Sequence, residues 1–507
     1  MNHWVIVPIV LPLCTGIALL FVGRGNRPLQ RTLGLGAALA LLGVDLALLG
    51  SAREGVVHVY ALGNWMPPFG ITLVLDRLSS LMLLLTAVLA VFSLMYSAGG
   101  TDSRGRSYHA LFQFQLMGLN GAFLTGDLFN LFVFFEVLLI ASYGLLLHGA
   151  GHSRLGPGLH YVVYNVVGSS LFLLAAALLY AALGTLNLAD MAVKAASAAP
   201  AAAGLIRIGA LLLLVVFAVK AALLPLHFWL PDAYANATAP VAAQFSIMTK
   251  VGVYAILRVY TLVFGAGAGP AADIAAPWLL PLALATVAVG TLGALASRDL
   301  GRLVAFLVIA SVGIMLSAVG LFTAAGINAA LYYMAHSTLI VAALFLLTDV
   351  IAVQRGASRG LLDNTPPVAQ PALLGTLFLV ASISVAGVPP LSGFIGKVMV
   401  LQAAGGGERV WVWTLVLASS LLVIIALSRA GSTLFWKTKA PGPEWRPSRA
   451  TAVTLVPAAA LLAAGAALVL LAGPVTDFTA ATAAQLLEPQ GYIHAVLGPR
   501  APIYPQP

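Results

Sequence analysis

The stretch VVFAVKAALLPLHFWLPDAY, residues 215–234, begins as an apolar helix and then departs from one. Lys220 lies inside the apolar run, and Pro225 and Pro231 follow it. A proline removes a backbone hydrogen-bond donor and clashes with the preceding turn, so it interrupts a helix. Within a membrane such an interruption is tolerated only where protein or water covers the freed backbone groups. The stretch therefore predicts a membrane helix that breaks beside a charged side chain.

The composition of the whole chain is that of a membrane protein. Of 507 residues, 61% are apolar and 8% are charged, whereas about 25% of a soluble domain is charged. The mean hydropathy is +1.01. The net charge of +9 need not indicate a nucleic-acid partner, because membrane proteins concentrate Lys and Arg in their inner loops. Cys14 is the single cysteine, which excludes an intrachain disulfide.

The apolar runs predict an all-α polytopic protein with fourteen transmembrane helices, because a bilayer core needs roughly 20 apolar residues per helix. If both termini lie outside, the inner loops hold more Arg and Lys than the outer segments, so the charge bias predicts that orientation. The predicted spans are residues 3–22, 32–50, 73–97, 108–126, 128–148, 158–183, 204–231, 239–264, 275–296, 301–322, 326–353, 369–402, 409–435 and 451–473.

Five ionisable residues lie inside the predicted spans, each in a different one: Glu136, Lys220, Lys250, His336 and Lys397. A charged side chain at the centre of a membrane helix costs at least about 2.5 kcal/mol, so such residues usually face a bundle interior or a water-filled cavity. Three structural alternatives stand beside a functional role. The glutamate could be protonated or salt-bridged, the lysines could reach the membrane surface, and the histidine could serve only as a neutral hydrogen-bonding group. The five groups together favour a proton relay.

Charged residues near the ends of spans predict other roles, because their side chains can reach water. Asp45, Asp349 and Arg258 are expected to be solvated. Asp76 and Arg77, at the start of the third span, are expected to form a structural pair.

A second break, in VAGVPPLSGFIGKVMV at residues 385–400, suggests an internal repeat. It lies in span twelve, five spans after the first, so the second unit would be inverted relative to the first. Inverted repeats with broken helices are typical of secondary transporters. The predicted organisation is N-terminal spans in residues 1–107, a first repeat of helices 4–8 in 108–264, a second repeat of helices 9–13 in 265–435, and helix 14 with an outer, polar tail in 436–507.

The intramembrane charges suggest a mechanism of proton transfer. If Glu136 and Lys220 form an ion pair that opens and closes, the lysine alternately holds and releases a proton. Transfer through Lys250 and His336 to Lys397 would make a lateral path at half-depth, hydrated where spans come apart. The sequence has no phosphate-binding glycine loop, dinucleotide fingerprint, H-E-x-x-H motif or cysteine cluster. We therefore expect no cofactor and no metal site, and energy from an ion gradient or a partner.

Several segments resemble the antiporter-like subunits shared by respiratory complex I, membrane-bound hydrogenases and multisubunit Mrp-type Na+/H+ antiporters. These segments are FFEVLLIASYGLL (134–146), FAVKAALLPLHFWLPDAY (217–234), FSIMTKVGVYAILR (245–258), YYMAHSTLI (332–340) and GVPPLSGFIGK (387–397). YVVYNVVGSSLFLLAAALLYAALGTLNLADMA, residues 161–192, is most similar to the D-type subunits of Mrp antiporters. The resemblance implies fourteen helices with inverted repeats 4–8 and 9–13. It also assigns the relay to Glu136, Lys220, Lys250, His336 and Lys397.

The resemblance further implies a proton-translocating subunit of a monovalent cation (Na+)/proton antiporter, which is a secondary transporter subunit and not an enzyme. Its expected partners are other membrane subunits, protons, monovalent cations and the lipid bilayer of the bacterial inner (plasma) membrane, with no nucleic acid. Two alternatives remain. The same core could serve as the proton-pumping subunit of a complex I-type or hydrogenase-type redox complex. A non-transporting scaffold is the third possibility, but it has no need of five intramembrane charges.

Overall fold

The computed structural model describes residues 3–23, 25–149, 151–363, 367–439 and 449–498, which are mostly helical. Within these ranges, twelve helical segments are long and apolar enough to cross a membrane. The predicted class, a helical polytopic membrane protein, is therefore confirmed. Arg24, Arg446 and Arg500, which contribute to the predicted charge bias, lie outside the described residues.

The first three long helices form an N-terminal group that is joined by a short hairpin. Helix α3 begins at a capping box, in which the Asp76 carboxylate accepts a hydrogen bond from Ser79 N and Asp76 N donates one to Ser79 Oγ. Strand β1 pairs antiparallel with β2 between α2 and α3. The elements are α1 (Val7–Phe21), α2 (Arg27–Ala52), β1 (His58–Ala61), β2 (Thr72–Leu75) and α3 (Arg77–Ser97).

The next eight helices contain the first group of predicted site residues. Their bounds are α4 (Tyr108–Leu124), α5 (Leu128–Leu146), α6 (His152–Leu183), α7 (Leu188–Ala196), α8 (Ala203–Ala221), α9 (Leu230–Asn236), α10 (Ala239–Phe245) and α11 (Met248–Leu262). Six helices follow with the second group: α12 (Ala276–Ala296), α13 (Leu300–Val319), α14 (Ala324–Gln354), α15 (Pro371–Ala386), α16 (Ser392–Ala403) and α17 (Glu408–Phe435). Short 3-10 helices occur at His3–Ile6, Leu62–Asn64, Thr101–Arg104, Pro200–Ala202, Gly269–Ala271 and Gly356–Ser358.

The C-terminal region ends in three helices, α18 (Ala452–Leu470), α19 (Ala472–Leu487) and α20 (Gln490–Leu497). The segment predicted as a polar tail is therefore helical over much of its described length. Helix α19 packs on α14 and α11, and α20 packs on α7. These contacts make the end of the chain part of the helical body, because they bury side chains such as Ile493 and Tyr492.

Two predicted spans, the fourth and the twelfth, are not among the twelve helical segments that are long and apolar enough to cross a membrane. The fourth, Tyr108–Leu124, has 17 residues. The twelfth is divided into Pro371–Ala386 and Ser392–Ala403, with Gly387 in the left-handed region at φ 77° between them.

The helix pairs α4–α5 and α12–α13 pack through glycines in corresponding places. A Cβ on Gly118 would lie 2.5 Å from Leu138 N, and one on Gly290 would lie 2.4 Å from Ala310 N. Gly118 and Leu138 are as far apart in the sequence as Gly290 and Ala310. The same match recurs one turn later, with Gly121 against Phe134 and Gly293 against Phe306. In both pairs, therefore, a glycine lets the backbones of the two helices come into close contact.

The starts of α5 and α13 are also alike. Asp127 caps α5 by accepting a hydrogen bond from Asn130 N at 2.8 Å, and Asp299 caps α13 by accepting one from Arg302 N at 3.0 Å. Each aspartate also forms an antiparallel bridge to a later segment, with partners Asn187 and Leu361. The same local structure therefore occurs at the starts of α5 and α13.

Candidate functional site

Helix α8 ends beside Lys220, and its freed backbone groups are satisfied by side chains. Ala222 adopts a left-handed conformation with φ 57°, and regular helix resumes only at Leu230. Trp229 Nε1 donates to the Val219 carbonyl at 3.0 Å. Leu224 N donates to Thr286 Oγ1 at 2.9 Å. The chain thus leaves the helix at the prolines without exposing these polar groups to lipid.

The Lys220 side chain is enclosed by polar and aromatic groups. It is 8% exposed, and Nζ donates to Asn165 Oδ1 at 3.0 Å. The ammonium also lies 5.8 Å from the centre of the Phe135 ring. A cavity of about 10 Å³ adjoins it, which is near the lower limit for a single water molecule.

Glu136 has a neutral partner in place of the predicted lysine. It is half-buried on α5, and Ser169 Oγ donates a short hydrogen bond to its Oε1. Among the described residues, no ion pair joins Glu136 to Lys220, so the predicted pair is not formed in this structure. The reason is helix α6, which packs against both α5 and α8. It presents Asn165 and Ser169, at i and i+4 on one face, to the two charged groups.

Lys250 is fully buried, and its Nζ has no hydrogen-bond partner in the described part of the chain. A buried ammonium without a partner is costly, so this position requires a neutral amine or a bound water. Helix α11 starts just before Lys250, because regular helix stops at Phe245 and resumes at Met248. The sequence reasoning missed this interruption, since no proline or glycine marks it.

Contacts on both sides of Lys250 link α11 to α8 and the end of α10 to α14. Gly252 allows α11 to pack on the end of α8, because a Cβ there would lie 2.5 Å from Ala221 N. Ser246 Oγ donates to the Thr338 carbonyl on α14 at 3.2 Å. Lys250 therefore lies between the helix that carries Lys220 and the helix that carries His336.

His336 and Lys397 line one small cavity. His336 is 1% exposed, and its Nδ1 lies 2.9 Å from Ser392 Oγ. Lys397 Nζ donates to the Ala386 carbonyl at 2.8 Å and to Ser420 Oγ at 2.9 Å. The carbonyl is free because α15 ends at that residue. The cavity between the two groups is about 20 Å³, which is room for about one water.

The five predicted residues therefore form a chain of three clusters: Glu136 with Lys220, Lys250 alone, and His336 with Lys397. Each joins the next through helix contacts. The cavities beside Lys220 and Lys397 are smaller than the broken helices led us to expect. Asn165 and Trp229 line the first, and Ser419 is among the residues that line the second. Sequence reasoning did not assign Ser169, Ser392 and Ser420 as partners. The signal for Ser169 was the polar pair Ser169–Ser170, followed by a long apolar run in α6.

Three expectations about charges near span ends were wrong, and the first two concern Arg258 and Asp76. Arg258 is 4% exposed and forms a bidentate ion pair with Asp76 at 2.6 and 2.8 Å. Arg77 instead donates to the Arg53 carbonyl. Arg258 is buried because it lies against the start of α3, where it pairs with Asp76, and against α20. The ring of Tyr492 on α20 lies 5.2 Å from the guanidinium.

Asp45 is also buried, contrary to expectation, because its face of α2 packs on α3. Neither carboxylate oxygen has a hydrogen-bond partner among the described residues. Asp349 remains half-buried at the wall of a polar cavity, where it accepts a hydrogen bond from Tyr96 OH at 2.9 Å.

Comparison with known proteins places this arrangement in context. The chain is 41% identical to the D-type subunit of a probable K(+)/H(+) antiporter from Rhizobium meliloti (strain 1021), over 99% of each chain. It is 37% identical to the D-type subunit of the Na(+)/H(+) antiporter from Bacillus subtilis (strain 168), over 98% of this chain and 100% of that protein.

Solved structures share the fold. A chain of the Mrp complex from Dietzia sp. DQ12-45-1b superposes with a TM-score of 0.90 and 28% identity, covering 98% of this chain and 100% of that one. A chain of respiratory complex I from Thermus thermophilus gives 0.77 and 25%, covering 95% and 99%. Residues 125–423 match the family described as NADH:quinone oxidoreductase/Mrp antiporter, TM. Together with the similarity over its whole length, this match shows that the chain belongs to the NADH:quinone oxidoreductase/Mrp antiporter family of membrane proteins.

Proposed function

We propose that this chain is the proton-translocating subunit of a multisubunit monovalent cation/proton antiporter. The observation that carries the proposal is the series of intramembrane acid–base groups that runs from Glu136 to Lys397 through contacting helices. The D-type antiporter subunits of Rhizobium meliloti and Bacillus subtilis, similar over nearly their full lengths, support the same assignment. The chain is accordingly a part of a transporter, not an enzyme.

The proposed architecture has fourteen transmembrane helices. It counts α4 as a span and treats α8–α9 and α15–α16 as two broken helices, one in each repeat. The repeats are residues 108–264 and 265–435, preceded by residues 1–107 and followed by residues 436–507. The matched glycine contacts of α4–α5 and α12–α13 and the matched aspartate caps support the repeat.

In the proposed mechanism, protons pass laterally along the series, in which every group except Lys250 has a hydrogen-bonding neighbour among the described residues. Ser169 bonds to Glu136, and Asn165 bonds to Lys220. A serine hydroxyl or one water can relay a proton between such groups. At the far end, the Ala386 carbonyl at the C-terminus of α15 stabilises a charged Lys397.

The proposed cation is Na+, and the partners are other membrane subunits in a bacterial inner membrane with both termini of this chain outside. A K+/H+ assignment in the name of the Rhizobium relative makes K+ the alternative cation.

The test is cation-dependent pH change in inverted membrane vesicles that contain the intact complex. We expect Na+ to collapse an imposed pH gradient, and the variant Lys397→Ala to lose at least about ten-fold of this activity. Lys194→Ala is the matched control, because that lysine lies on α7 and pairs with Asp190 at a half-exposed position. Comparison of Na+, K+ and Li+ identifies the cation. Full exchange by an assembled Lys397→Ala complex contradicts the relay and supports a scaffold.

A second candidate is the proton-pumping subunit of a redox complex. It is favoured by the likeness to complex I and by a TM-score of 0.88, at 25% identity, to a chain of the membrane-bound sulfane sulfur reductase. Proton transport that requires an electron donor and ignores Na+ and K+ would favour this candidate over the antiporter.

A further inference from the structure

A polar cavity opens between the two halves of the chain, at one end of α10 and α14. Its volume is about 460 Å³, far above the space of a single water, so it is an aqueous vestibule. Charged side chains line its rim, among them the ion pair of Arg302 with Asp232 and the carboxylate of Asp349. Its walls are apolar at Ala242 and Phe345. The vestibule therefore combines a charged rim with apolar wall positions at Ala242 and Phe345.

The helices that carry Ala242 and Phe345, α10 and α14, continue from the vestibule towards the relay. Thr238 and Ser246 are the two residues that cap α10, and with Ala242 between them they are spaced by four residues and share one face, while a matching stripe lies on α14. Ser246 Oγ bonds to the Thr338 carbonyl at the far end. From the vestibule to that contact the path spans eight residues, or about 12 Å of helix rise. The facing positions, which together form the seam between α10 and α14, are Thr238, Ala242 and Ser246 on one side and Thr338, Ala342, Phe345 and Asp349 on the other.

Phe345 is the one bulky apolar side chain among those facing positions. It is 4% exposed, and its ring lies 6.2 Å from that of Tyr234. The remaining positions of the seam are small or polar. A hydrophobic constriction between polar compartments controls passage by excluding water.

Unpartnered polar atoms lie at both ends of the seam. At the vestibule, Thr238 is 4% exposed, and its hydroxyl has no hydrogen-bond partner in the described ranges. At the relay end, the same is true of Lys250 Nζ and Ser337 Oγ. Buried polar atoms nearly always have a partner, so orphaned ones indicate positions that water visits.

We propose that the seam between α10 and α14 is the path by which water and protons pass from the vestibule to Lys250 and His336, with Phe345 as its hydrophobic gate. The transport role rests on the proposed function, and the accessibility of the seam does not. The proposal adds an access path to the relay and a gating residue.

The test uses single cysteines in a Cys14→Ser background, in the intact complex. A membrane-impermeant, positively charged methanethiosulfonate reagent is applied to each membrane face in turn. Thr238→Cys is expected to react from one face only, that of the vestibule. Ser246→Cys is expected to react slowly from that face, and at least ten-fold faster when combined with Phe345→Ala.

Phe378→Ala is the matched control, since Phe378 is also 4% exposed but packs on Phe435, away from the seam. It should leave the reaction rate of Ser246→Cys unchanged. If Phe345→Ala does not assemble, Phe345→Leu should give a smaller increase, at least two-fold.

Any of three results overturns the proposal. The first is that Thr238→Cys is unreactive from both membrane faces. The others are that Phe345→Ala and Phe378→Ala change the labelling rate of Ser246→Cys equally, or that Phe345→Leu leaves that rate unchanged. Labelling does not require cation exchange. An accessible, Phe345-controlled seam in a complex that exchanges no cation would therefore refute the antiporter assignment and leave the path intact.

Discussion

Glu136 provides the carboxylate of the proposed relay, and its role depends on taking up a proton. Glutamine has nearly the same size and can still contact Ser169, but it cannot titrate. We expect Glu136→Gln to lower cation-dependent proton exchange at least about ten-fold with normal assembly. Glu488→Gln, at an exposed position after α19, is the control and should exchange normally. Equal rates for the two variants in vesicle assays would remove Glu136 from the relay.

Ala222 is strained in the structure, because its φ of 57° lies in the left-handed region. That conformation costs a non-glycine residue roughly 1–2 kcal/mol, while glycine gains up to about 1 kcal/mol of unfolded-state freedom. Ala222→Gly is thus expected to raise thermal stability by up to about 1 kcal/mol. Ala218→Gly, inside α8, should lower it by about 1 kcal/mol. Thermal unfolding of the purified complex measures both, and losses of the same size would show that the break is not strained.

At the scale of elements, the close approach of paired helices depends on glycine. Gly118→Ala and Gly290→Ala would each place a methyl group within 2.5 Å of a backbone nitrogen. Overpacking of this kind costs about 1–3 kcal/mol, and we expect similar losses for both variants in thermal unfolding. Gly36→Ala on α2 is the control, since its added methyl meets nothing within 4 Å. If one of the pair is tolerated as well as Gly36→Ala, the two helix pairs are not equivalent.

At the scale of the whole molecule, the cavities beside the relay limit what this chain transports by itself. They are about 10 and 20 Å³, which is too small for a cation with its hydration shell. We expect the purified chain alone in proteoliposomes to show no Na+- or K+-dependent pH change, and the complete set of subunits to restore it. Exchange by the chain alone would place the cation path inside it.

The sequence by itself determined that this protein lies in a membrane, the order of its helices, the positions of the two breaks marked by prolines, and the choice of Glu136, Lys220, Lys250, His336 and Lys397 as candidates. Apolar run length, prolines and misplaced charges are local signals, and each can be read without knowing what lies across the bundle. Only the tertiary structure decided the partners of those charges. Ser169 replaces Lys220 beside Glu136, Arg258 reaches Asp76, and the helix interruption at Ser246 meets Thr338. These contacts join residues far apart in sequence, and they depend on which helix faces pack together, which no local pattern encodes.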